Sequence, residues 1–170
     1  MANNNTLWSA KLQIKKAHFQ WALDFFQYVN DRADEVLEGE EYHKDFEPIL
    51  QGIIKHHPNI FEAGGFAFTE EDDDNGEKRI WFYSAEGDNL DLLLESVKAL
   101  FVFFNLDDVF DISWAYTCSR PLINAFGGGT AAVCRLAIIS SDSSVLTAAH
   151  NEHVRRILFY SKNSSDVPFK

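Results

Sequence analysis

The chain reads as an α+β protein, an antiparallel sheet with helices packed on one face, close to the ferredoxin-like split β-α-β pattern with additions at the C-terminus. Three observations carry this expectation. Apolar residues alternate with polar ones from residue 7 to 15; the period then changes to that of a helix from Ala17; and strand-like and helix-like stretches continue to interleave to the end. At 170 residues, 46% hydrophobic and 14% aromatic, the chain has the length and apolar content of one ordinary domain. We assign residues 1–160 to a single domain and 161–170 to a loose tail.

Trp8, Ala10, Leu12 and Ile14 alternate with Ser9, Lys11, Gln13 and Lys15, which predicts a half-buried strand or, alternatively, the start of a long first helix. From Ala17 the stripe Ala22, Phe26, Val29, Ala33 and Val36 makes one helical face, flanked by Trp21, Phe25 and Tyr28, and Gly39 closes it. Residues 40–57 predict a short charged helix or loop begun near Tyr42 and ended by Pro58, with Pro48 admissible only in a first turn or at a break.

Phe66 and Phe68, then Ile80 to Tyr83, predict two strands joined across Glu70 to Lys78, where Asp74-Asn75-Gly76 tolerates the positive φ of a tight turn. Asp88 is the expected N-cap of a helix whose apolar face runs from Leu90 through Phe104. Phe110, Ile112, Trp114 and Tyr116 share one face of a further strand. Beyond Gly127-Gly128-Gly129, expected as a tight turn or bulge, Thr130 to Ile139 reads as one strand buried on both sides. Asp142 and Ser143 are placed to cap a last helix from about Ser144 to Leu158.

The charge is uneven. Residues 62–111 hold 14 acids against 3 bases, while the rest of the chain balances at 12 against 12, so the net charge of −11 sits in one window. A confined excess interleaved with aromatics predicts a surface that meets something cationic. The expected contact set is Glu70, Glu71, Asp72, Asp73, Asp74, Glu77, Asp91, Glu95, Asp107, Asp108 and Asp111, with Trp81 and Tyr83 as apolar anchors and Trp21 and Phe25 as further candidates. Rows of carboxylates can imitate a phosphate backbone and compete for a basic channel. The plainer alternative is that these acids are polar turn residues and the rings are core. Neutralising Asp72, Asp73 and Asp74 together is expected to weaken binding at nearly unchanged stability.

Other classes find less support. Direct nucleic-acid binding needs a basic stripe that the chain lacks. No apolar stretch reaches the roughly 18 residues of a membrane span, and the opening Met1-Ala2-Asn3-Asn4-Asn5 predicts no secretory signal. Cys118 and Cys134 are too few for a disulfide scaffold, which fits a reducing cytoplasm. His150 and His153 do not complete a metal site, His56-His57 suits a helix end, and the glycine triplet lacks the Lys-Ser or Lys-Thr of a phosphate loop. No metal, cofactor or catalytic residue is expected. A small enzyme using Cys118 beside Arg120, or the His150/His153 pair, stays as an alternative.

The stretch Trp114-Ala115-Tyr116-Thr117-Cys118-Ser119-Arg120-Pro121, with Phe126-Gly127-Gly128-Gly129 after it, resembles small proteins of bacteriophages and plasmids over residues 61–139. It departs from them at Ala131 to Leu136, where a plainer β-branched strand is expected. What the resemblance implies is origin on a mobile genetic element and, with acidic character, the class of anti-CRISPR and anti-restriction inhibitors. The implied partner is a host protein with a basic nucleic-acid-binding surface in the host cytoplasm, met by a monomer or homodimer. An accessory or morphogenesis protein of the same element is the other reading.

Overall fold

The computed structural model describes residues 4–34, 43–84, 88–118 and 127–141. Six antiparallel strands form one sheet: β1 (Asn4–Gln13), β2 (Ala67–Asp72), β3 (Lys78–Ser84), β4 (Phe110–Cys118), β5 (Gly127–Val133) and β6 (Ile138–Ser141), in the order β2-β3-β1-β4-β5-β6. Three helices accompany them: α1 (Lys16–Ala33), α2 (Phe46–His56) and α3 (Leu90–Phe103). The α+β class and the antiparallel sheet agree with the sequence, and the sheet is larger than a four-stranded one.

Alternation decides which face is buried. On β1, Trp8, Ala10 and Leu12 point to the helices and are buried, while Leu7, Ser9, Lys11 and Gln13 point away. Cross-strand pairing carries the same parity across the sheet: Ala10 lies opposite Phe82 and Leu12 opposite Ile80. The core forms where Phe26 of α1 meets Phe82 edge-on at 5.0 Å, with Phe46 and Leu50 of α2 and Leu93, Val97 and Phe101 of α3 closing around it. Trp21 and Phe25 belong to this core: Phe25 is fully buried, and Trp21 stacks on Phe103 at 4.6 Å. Tyr28 donates a hydrogen bond to Glu47 across α1 and α2; burial first, then that bond, pushes its pKa up to about 12, and Glu47 is held below its ordinary value.

Several boundaries differ from expectation. α2 begins at Phe46 rather than near Tyr42, with Pro48 in its first turn where no N–H is needed. α3 is capped by Asn89, not Asp88: the Asn89 side chain accepts from the Leu92 amide at 3.0 Å. The run Thr130 to Ile139 is two strands, because Cys134 and Ala137 close a tight turn by mutual backbone bonds of 2.9 and 3.3 Å. The glycines form no turn; Gly127, Gly128 and Gly129 lie in β5 opposite Tyr116, Ala115 and Trp114. Thr130 to Val133 are buried on both faces, as the apolar run predicts. The segment around Val36 and Gly39, the helix expected from Ser144 to Leu158 and the tail lie outside the described residues. No described helix is long and apolar enough to cross a membrane.

Candidate functional site

The β2–β3 hairpin carries most of the expected contact residues, but in longer strands than the sequence suggests. Glu70, Glu71 and Asp72 are paired with Ile80, Arg79 and Lys78, so they belong to β2 and only residues 73–77 form the turn. Opposite charges facing across the ladder make strands of residues that otherwise disfavour them. Lys11 of β1 reaches Glu71 at 2.7 Å, and Lys78 pairs with Glu70, which raises the lysine pKa through that hydrogen bond. Gln13 donates to Glu77 at 2.7 Å. Six carboxylates against Lys11, Lys78 and Arg79 leave the hairpin negative by three charges.

Asp73 is a turn-builder. Its carboxylate accepts the amides of Asn75 and Glu77 at 2.8 Å each and the Arg79 guanidinium at 2.7 Å, and only 4% of its side chain is exposed. These bonds, the Glu77 amide foremost, hold its carboxyl below the usual range. The joint Asp72, Asp73 and Asp74 substitution is therefore expected to cost stability through Asp73, and the separable pair is Asp72 and Asp74. Gly76, with φ of 74°, supplies the positive-φ position.

Trp81 and Tyr83 project from the sheet face opposite the helices. Their rings are 4.9 Å apart, Trp81 Nε1 donates to Ser9 Oγ at 2.8 Å, and Tyr83 and Leu7 are each 37% exposed. Leu7, Ser9 and Lys11 join the candidate face although charge reasoning passed over them; the alternation of β1 already put Ser9 and Lys11 on its polar side, but not Leu7.

The registers settle which acids meet. Gln13 pairs with Arg79, and β4 starts at the end of the sheet where β1 finishes, so the hairpin turn and the Asp107-Asp108 turn share one sheet end. β2 and β4 are three strand spacings apart, about 14 Å. Asp107 is paired with Arg135 at 2.9 Å, Asp108 is exposed, and Asp111 faces the same side as Trp81. Asp91 and Glu95 do not join them. They sit in the helix layer, where Glu95 contacts His57 at 3.2 Å and Lys98 at 3.4 Å.

Among the described residues no group of three or more histidine, cysteine or acidic side chains is placed to hold a metal. The side chains of Cys118, Arg120, His150 and His153 lie outside the described residues. No family model, curated protein or solved structure matches this chain.

Proposed function

We propose that this chain is a non-catalytic binding protein of phage or plasmid origin that blocks a host-defence complex, of the anti-CRISPR or anti-restriction kind, by occupying a basic nucleic-acid-binding surface in the host cytoplasm. One observation carries the reading: a single hairpin bears both a half-buried Trp81 packed against an exposed Tyr83 and an excess of carboxylates. Charge accelerates and orients the encounter, while aromatic anchors supply affinity. The Asp107-Asp108 turn at the same sheet end extends the negative field. The protein acts as a monomer or homodimer without cofactor or membrane. The order β2-β3-β1-β4, with α1 and α3 as crossovers, supports reading these strands as a ferredoxin-like split β-α-β core with β5 and β6 added at its β4 edge.

The experiment is a titration of the partner recovered from host cells against wild type and the Trp81→Ala/Tyr83→Ala variant. The variant is expected to lose at least about tenfold in affinity while retaining its fold by circular dichroism. Equal affinity overturns the proposed contact face.

A further inference from the structure

The two edges of the sheet are defended unequally. β2 carries Glu70, Glu71 and Asp72, charges that discourage pairing with a foreign strand, whereas Ile138-Ile139-Ser140-Ser141 has neither charge nor proline. Among the described residues, no strand pairs with the outer edge of β6.

On the helix side of that edge the layer is incomplete among the described residues. A groove of about 690 Å³ separates Ile138 and Ser140 from the 57–63 turn and the first half of α3, and Glu62, Asp91 and Glu95 line it. Glu95 is engaged by His57 and Lys98. Glu62 and Asp91 are exposed, with no ion pair among the described residues.

A strand added to β6 would direct alternate side chains, about 6.5–7 Å apart, to the helix side and into this groove. Basic residues there would meet the carboxylates of Glu62 and Asp91. We propose that the β6 edge is the docking site for an extended segment of a partner protein with Lys or Arg at alternate positions, bound by strand addition. The same carboxylates argue against a second copy, since symmetric β6 pairing would set two acidic grooves side by side in chains of net charge −11. The inference rests on reading the chain as a binding protein but not on the hairpin, which lies at the opposite edge of the sheet.

The probe is the capped octapeptide Ac-(Lys-Val)4-amide, titrated at low salt into the full chain and followed by amide NMR and hydrogen exchange. The expected result is protection at Ile138 to Ser141, an affinity read from the amides of those four residues about five- to tenfold lower for Glu62→Gln/Asp91→Asn, and no change in that local affinity for Asp72→Asn/Asp74→Asn. N-methylation of alternate peptide amides is expected to abolish binding. Equal binding of Ac-(Glu-Val)4-amide or of the N-methylated peptide, no binding at millimolar peptide, or a β6-paired homodimer in sedimentation each overturns the proposal. Loss of binding in the hairpin variant instead would also overturn it, while leaving the hairpin reading intact.

Discussion

The side chain of Asn30 satisfies both backbone groups of Phe66: Nδ2 donates to the Phe66 carbonyl at 2.6 Å and Oδ1 accepts from the Phe66 amide at 3.0 Å. The amide thus behaves as one rung of a ladder, fastening α1 to the chain entering β2. Asn30→Asp keeps the acceptor and removes the donor, setting a carboxylate against a carbonyl oxygen. Urea unfolding is expected to show a loss of about 2–3 kcal/mol. A loss below about 0.5 kcal/mol would mean that the bond to the carbonyl contributes nothing.

Asn89 performs a second such fastening. Besides capping α3, its Nδ2 donates to the carbonyls of Ile60 and of Gly64, the latter at 2.9 Å. Asn89→Ala is expected to cost about 2–4 kcal/mol, because a cap is lost and buried carbonyls are left unpaired. Asp88→Ala is expected to stay within about 0.5 kcal/mol. Comparison of the two thermal melts checks which residue is the cap.

At Gly128 a Cβ would clash with the backbone oxygen of Trp114 on the neighbouring strand. Gly128→Ala is expected to destabilise by about 1–3 kcal/mol through forced separation of β4 and β5, measured by denaturant unfolding with hydrogen exchange on Trp114 to Tyr116. Wild-type stability would show that the strands part without cost.

The depressed carboxyl of Asp73 fixes the sign of a pH effect. A group whose folded pKa lies below its unfolded value of about 3.9 adds stability that is complete above that value and lost as pH falls through the folded pKa. The melting temperature should fall more steeply with acidification below about pH 4 in wild type than in Asp73→Asn. Parallel profiles would show that the turn does not depend on this charge.

Where structure follows local pattern, the sequence was a sufficient guide. The alternation in residues 7–15 names the buried face of β1, and the 3.6-residue stripe from Leu90 names that of α3. Where a boundary depends on distant groups, it was not. Asp88 and Asn89 are adjacent and both can cap, but only an amide donates to Ile60 and Gly64, residues 29 and 25 positions away. The turn between β5 and β6 uses Arg135 and Leu136, neither of which has positive φ, so no glycine, asparagine or proline marks it. Among the acids, composition revealed the excess but not its division: strand register draws the hairpin and the Asp107-Asp108 turn to one sheet end and leaves Asp91 and Glu95 in the helix layer.

On the proposed reading the sheet end binds a cationic protein surface through its exposed carboxylates. The most direct test is affinity purification from host lysate on immobilised wild type and on Asp72→Asn/Asp74→Asn/Asp108→Asn, eluted with a salt gradient. The three substitutions avoid Asp73 and are expected to leave the melting temperature unchanged within about a degree or two. Wild type is expected to retain a nucleic-acid-handling protein that elutes steeply with salt, and the triple variant is expected not to. Identical retention by both proteins, or retention insensitive to salt, would contradict it.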